Sequence, residues 1–172
     1  MTYINTYQII STFDGSTETC SLSELSRQVK LNYILCELSA DGTLIDSCPL
    51  DHRALVTFAV EFADYALKHY SKQKIPESEA CIALIRKWLK NSYAVSAEEL
   101  RVATAASNAA AYAVATRTAA SAADAATRAG AATLTAAYAV DVARKAAKAA
   151  GKSREAEYVR QGQFIVEYLR AA

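Results

Sequence analysis

Hydrophobic residues recur at helical spacing through most of this 172-residue chain. The clearest run follows Asp51, a residue type that caps helix N-termini, and continues until the polar stretch that begins at Ser71. This pattern predicts a helix over residues 52–70. Its apolar face would consist of Leu55, Phe58, Ala59, Phe62, Ala63, Ala66 and Tyr70.

A second helix is predicted from Pro76 to about Asn91. Proline is tolerated in the first helical turn, and the acidic residues Glu77 and Glu79 suit the positive end of the helix dipole. The apolar side of this helix would comprise Ala80, Cys81, Leu84, Ile85, Trp88 and Leu89.

The stretch before residue 48 supports two interpretations. Ser21 and Glu24 have the spacing of a capping box, and a helical stripe follows, which consists of Leu22, Leu25, Val29, Tyr33 and Cys36. The alternative is a β-hairpin, in which residues 33–38 and 43–45 flank a turn at residues 39–42. We favour the helix, which would end at Asp41-Gly42.

The second half of the chain is rich in alanine. Of the 37 alanines, 25 lie between residues 101 and 150. A second capping box, formed by Ser96 and Glu99, would open this half, and no charged residue occurs from 102 to 116. A helix that is apolar on all sides belongs inside a bundle, so we expect a central buried helix here.

Two further helices complete the pattern. After a break at residues 118–123, one helix would run to about Ala150, with a bend near Gly130 and Gly151 as its C-terminal cap. The last helix would span residues 153–169, with Tyr158, Val159, Ile165, Val166 and Leu169 inward.

These elements predict an all-α fold, a single Ala-rich bundle of about five to six helices. Residues 1–47 would form an N-terminal arm with the first helix or hairpin, and residues 48–172 the bundle. Small side chains allow helix axes to approach closely, so the alanines predict a tightly packed seam. Leucine at Ala109 or Ala113 would then overpack it.

The composition points to a cytoplasmic protein. The uncharged stretch at residues 102–116 is shorter than the roughly 20 residues that span a bilayer, and the N-terminus lacks the pattern of a signal peptide. The four cysteines form no C-x-x-C motif, so we expect free, buried thiols in a reducing compartment. No membrane association is predicted.

The motifs of common enzyme classes are absent from the sequence. There is no zinc-protease H-E-x-x-H, no phosphate-binding glycine loop and no G-x-S-x-G elbow. His52 and His69 would lie about 100° apart around one helix, so they cannot share a site unaided. We therefore predict no catalytic residues, no metal and no cofactor.

Charge is unevenly distributed along the chain. Residues 1–70 carry a net charge of −5 and residues 71–172 a net charge of +6. The basic residues near 144–154 are better explained as a solvated helix face than as a nucleic-acid site, because Asp141 and Lys145 have the spacing of a helical ion pair.

Three segments occur in the order found in a known family. The first is Asp51-His52-Arg53-Ala54-Leu55 with the helix that follows it, the second is residues 82–89, and the third is Ala125-Ala126-Thr127-Arg128-Ala129-Gly130. Together they resemble the immunity-protein-five-like family of all-helical bacterial proteins, over residues 48–170. Members of that family are inferred to neutralise a toxin by binding it.

This resemblance implies a non-enzymatic protein whose partner is a cognate toxin protein. Asp51, Arg53 and Arg128 are the polar positions that match the family's motifs, and they are our candidate binding residues. Members often carry histidines in the alanine block, where this chain has Asn108, Ala131 and Ala137, so no function of those histidines transfers.

Two observations bear on the partner. An acidic first half suits a basic toxin, because opposite charges speed association. The alternative function is a helical scaffold or self-associating protein with the alanine seam as its oligomer interface. The sequence leaves the oligomeric state open.

Overall fold

Residues 6–50 form a four-stranded β-sheet that includes one short helix between its second and third strands. A computed structural model describes residues 6–71, 74–103, 106 and 137–172. Its strands pair antiparallel in the order β2-β1-β3-β4, with β1 at Thr6–Ser11, β2 at Thr17–Cys20, β3 at Tyr33–Leu38 and β4 at Leu44–Leu50. Helices follow the sheet along the chain. The all-α prediction is therefore wrong, and the fold is mixed α/β.

The helix favoured over residues 22–36 is also wrong, and the alternative hairpin is correct. Only one helical turn forms, α1 at Leu25–Gln28. Asn32 then adopts a left-handed backbone conformation with φ 62°, which a continuing α-helix does not allow. The chain enters β3, turns through Gly42 at φ 83° and returns as β4.

After residue 50, the helix ends that lie in the described residues fall close to the predicted positions; the start of the second Ala-rich helix and the end of the first lie outside them. The structure has α2 at His52–Tyr70, α3 at Pro76–Lys90, a 3₁₀ turn at Ser92–Ala94, a helical stretch at residues 97–103, α4 at Ala137–Ala149 and α5 at Arg154–Ala171. The cap at Ser96 is reciprocal: Glu99 N donates to Ser96 Oγ at 3.1 Å, and Ser96 N donates to Glu99 Oε2 at 2.7 Å. Gly151, at φ 59°, follows α4 as predicted.

Helix α2 lies at the centre of the packing. It contacts α3, α4, α5 and β4, and the rings of Phe58 and Phe62 on its buried face pack against Phe164 of α5. Ile9 and Leu35 are paired across the sheet and belong to the same hydrophobic core. Sheet and helices thus bury a common core. The predicted domain boundary at residues 47/48 falls inside β4.

Helices α2 and α4 are in contact, and both bury several alanines. The buried alanines are Ala54, Ala59, Ala63 and Ala66 on α2, and Ala139, Ala143, Ala146 and Ala147 on α4. These alanines of α4 therefore pack inside the chain rather than lying on its surface. Small side chains allow helix axes to approach closely. Most of the predicted central helix at 102–116, Ala109, Ala113, the break at 118–123 and the bend near Gly130 lie outside the described residues.

A close contact joins α5 to the segment before α1. A Cβ atom added to Gly162 would lie 1.9 Å from the carbonyl oxygen of Leu22, so only glycine fits at this position. The predicted inward positions Tyr158, Ile165, Val166 and Leu169 are buried, whereas Val159 is half-buried. Among the helices described, none has the length and apolar character needed to cross a membrane.

Candidate partner-binding surface

Two of the three predicted binding residues lie at the start of α2. Asp51 Oδ1 accepts a hydrogen bond of 2.8 Å from Ala54 N, which is the N-cap predicted from the sequence. Arg53 extends to α3, where its guanidinium donates to the carbonyl oxygen of Leu89. Arg128 lies outside the described residues. A partner contact by any of the three stays a prediction.

Arg53 lies beside the aromatic ring of Trp88 on α3. Its guanidinium carbon lies 5.7 Å from the centroid of the Trp88 ring, and the His52 ring meets the same indole edge-on at 5.9 Å. Tyr93, in the 3₁₀ turn directly after α3, is 97% exposed. We call Arg53, Trp88 and Tyr93 the Arg53 patch.

A groove of about 510 Å³ runs along α3 beside the C-terminal half of α2. Asp64 and Lys68 contribute from α2, and Arg86 and Lys90 contribute from α3. Asp64 accepts from Lys68 Nζ at 2.7 Å and from Arg86 at 2.8 Å, so one carboxylate holds two cations across the two helices.

The densest polar cluster in the described structure is centred on Glu157, whose carboxylate is fully buried. Tyr70 Oη donates to it at 2.8 Å, Arg160 donates twice at 2.8 and 2.9 Å, and Gln161 donates at 2.9 Å. Each carboxylate oxygen thus accepts two hydrogen bonds. A carboxylate held in this way is a structural anchor between α2 and α5 rather than an available base.

Burial also keeps Tyr70 in its protonated, donating form. Removal from water disfavours the phenolate, and the hydrogen bond to Glu157 adds to this effect, so the pKa of Tyr70 lies well above its ordinary value.

Arg160 stacks on the Tyr65 ring at 3.7 Å, and His69 stacks on the same ring at 4.1 Å. The two histidines therefore sit in separate aromatic environments.

The cysteines are buried and free, as predicted. Burial raises the pKa of Cys20 and Cys48 to about 11, so both stay protonated thiols near neutral pH. Within the part of the chain that the structure describes, no group of three or more His, Cys, Asp or Glu side chains is placed to hold a metal ion.

Sequence reasoning missed three features of these sites. Glu157 and Gln161 were not expected to be buried, because charged and amide residues are usually exposed. The Glu157–Arg160 spacing of three residues was a local signal for an ion pair, but the third partner, Tyr70, is 87 residues away in the sequence. The exposure of Tyr93 was not predictable, because a three-residue turn is too short to show a periodic pattern of buried and exposed positions.

Comparison of this chain with family models, curated proteins and solved structures finds no match.

Proposed function

We propose that this chain is an immunity protein, which binds a toxin protein encoded beside it and neutralises it without catalysis. The similarity of residues 48–170 to the immunity-protein-five-like family supports this proposal. The segment that opens the similarity, Asp51 to Leu67, lies on α2, and the sheet lies almost wholly before the part of the chain that the similarity covers. The complex would form in the bacterial cytoplasm, which suits four free cysteines.

The observation that carries the proposal is the Arg53 patch. Tyrosine, tryptophan and arginine are the residues most enriched in the energetic centres of protein interfaces. The Arg53 guanidinium is held by Leu89 O and Trp88 before any partner arrives, which lowers the entropy lost on binding. Tyr93 adds a large amphipathic ring that is almost fully exposed.

The test is co-expression of this chain with the toxin from the adjacent gene. The wild-type chain should restore growth and co-elute with the toxin in size-exclusion chromatography. Tyr93→Ala should weaken the complex by about ten-fold or more, since interface centres contribute about 2 kcal/mol or more per residue. Because Tyr93 is 97% exposed, its removal should leave the fold intact.

Phe13→Ala provides the matched control. Phe13 is a large side chain that is 80% exposed, and it lies in the turn between β1 and β2, outside the Arg53 patch as defined above. This variant should bind like the wild type. Continued killing of the cells together with no detectable complex would reject the toxin-binding function.

A further inference from the structure

The groove beside α3 carries a net positive charge. Its described lining includes four cations and two carboxylates, and consists of Asp64, Lys68, Glu79, Ile82, Ala83, Arg86, Lys87 and Lys90. Lys68 and Arg86 are both engaged with Asp64, and Arg86 also approaches Glu61 at 3.3 Å. The remaining positive charge therefore belongs mainly to Lys87 and Lys90.

Among the described residues, neither of these two lysines has a bonded counter-ion, although the Glu99 carboxylate is close enough to Lys87 for their charges to interact. Both are exposed, and neither forms an ion pair with any residue that the structure describes. They lie three positions apart on α3, so their ammonium groups emerge from the same side of the helix. An incoming carboxylate can pair with them without first displacing an internal partner.

The base of the groove is apolar. Ile82 is buried and Ala83 adds a methyl group, so the groove offers hydrocarbon contact beneath a basic rim. Its volume is in the range that encloses several side chains of a ligand. A ligand that matches this arrangement has carboxylates on one side and apolar groups on the other.

From this complementarity we infer that the groove binds an acidic amphipathic segment of the partner protein. A nucleic acid fits less well, because none of the described lining residues is aromatic and bases would have no ring to stack on, whereas Ile82 and Ala83 offer apolar contact to a peptide. This inference rests on the proposed function for the identity of the partner. The chemistry of the groove is independent of it.

The inference can be tested without the toxin. The probe is a fluorescein-labelled peptide of glutamate and leucine, with leucine at helical spacing, and its binding to the full chain is followed by fluorescence anisotropy. A peptide with lysine in place of glutamate and a single-stranded oligonucleotide are the comparison probes. We expect the glutamate peptide to bind most tightly, with an affinity that falls as salt is added.

Charge reversal then locates the site. Lys87→Glu combined with Lys90→Glu should weaken binding of the glutamate peptide by about ten-fold or more, because two favourable contacts become repulsive. Lys148→Glu combined with Lys152→Glu is the matched control, since these exposed lysines at the end of α4 change the net charge equally. The neutral pair Lys87→Gln with Lys90→Gln should show an intermediate loss, and circular dichroism checks that all variants are folded.

Three results would overturn the inference. They are equal binding of the glutamate and lysine peptides, equal losses in the two charge-reversed variants, and tighter binding of the oligonucleotide that is lost on reversal of Lys87 and Lys90. If the toxin co-elutes with the chain but the glutamate peptide does not bind, the inference is refuted and the proposed function is not. Peptide binding at the groove without toxin neutralisation would support this inference and refute the proposed function.

Discussion

Asn32 is held in a left-handed conformation by its backbone partners. Its N–H donates to Leu50 O at 3.1 Å, and its carbonyl accepts from Thr12 N at 3.1 Å and from Thr12 Oγ1 at 2.6 Å. A change of φ at Asn32 would break these hydrogen bonds, which join the turn after α1 to the β1–β2 turn and to β4. Asparagine tolerates this conformation better than most residues that carry a Cβ atom.

Asn32→Ala should therefore destabilise the fold by about 1 kcal/mol, while Asn32→Gly should be neutral or slightly stabilising. Urea denaturation of the three proteins measures the free energy of unfolding. The comparison isolates the backbone cost, because Asn32 is exposed and both substitutions remove the same side chain. Equal stabilities of the alanine and glycine variants would show that φ at this residue is not strained.

Asp14 stabilises the turn between β1 and β2 in a pH-dependent way. Hydrogen bonds from Ser16 N at 3.0 Å and from Ser16 Oγ at 2.8 Å lower the pKa of Asp14 from 3.8 to about 2. A carboxyl group whose pKa is lower in the folded state contributes stability above its unfolded pKa and loses it as the pH falls towards the folded value.

The wild type should therefore lose part of its advantage over Asp14→Asn as the pH falls from about 3.8 to about 2. Thermal melts of both proteins across this interval give the difference in stability at each pH. Other carboxylates titrate in both proteins and cancel from the difference. A difference that is constant with pH would contradict the lowered pKa.

At the scale of elements, the helices after residue 50 were predictable because their signals are local. Asp51 and Ser96 each accept a hydrogen bond from an amide in the next turn, and Pro76 has the fixed φ of a first helical residue, so local sequence places these three helix starts. The hairpin was recognised as an alternative but not favoured, because Leu22, Leu25 and Val29 also fit a helical stripe. Residues 33–38 form a strand because they pair with β1, whose residues lie more than twenty positions earlier in the sequence. The spacing of apolar residues within one segment does not reveal such a contact.

The candidate surface was partly predictable for the same reason. Arg53 was selected from a motif, but its partners Trp88 and Leu89 O belong to the next helix. The apolar side predicted for α3 was also imprecise, since Cys81 and Ile85 are buried whereas Ala80 is exposed. Which stripe of a helix faces the core depends on its neighbours, and these were not known from α3 itself.

The contact between α2 and α4 provides a test of the alanine seam within the described structure. Ala143 is fully buried on α4, which packs against α2, and α2 buries alanines of its own. Ala143→Leu should cost about 1–3 kcal/mol through overpacking. The control is Ala80→Leu, because Ala80 is exposed in the interior of a helix and leucine is also a good helix former. Equal melting temperatures for the two variants would exclude a tightly packed seam.

At the scale of the whole molecule, the sheet and the last helix are joined by one ion pair. Glu37 on β3 has a fully buried side chain, and Arg170 near the end of α5 donates to both of its carboxylate oxygens, at 3.0 and 2.5 Å. The two residues are 133 positions apart in the sequence. The nearby carboxylate also raises the pKa of Arg170, which keeps the guanidinium charged at every accessible pH.

Arg170→Met should destabilise the protein, because a buried carboxylate loses the cation that offsets its desolvation. Breaking a fully buried pair costs about 3–5 kcal/mol. The Arg170 side chain is 56% exposed, so water replaces part of the lost interaction, and we expect a loss of about 2 kcal/mol. Urea denaturation provides the measurement.

A double-mutant cycle separates the ion pair from the packing of the two side chains. Glu37→Gln combined with Arg170→Met removes both charges, so the double variant should lose less free energy of unfolding than the sum of the two single variants. If the single losses simply add, the carboxylate and the guanidinium are not coupled, and the attachment of α5 to the sheet depends on apolar packing alone. If they are coupled, the ion pair contributes to holding α5 against the sheet.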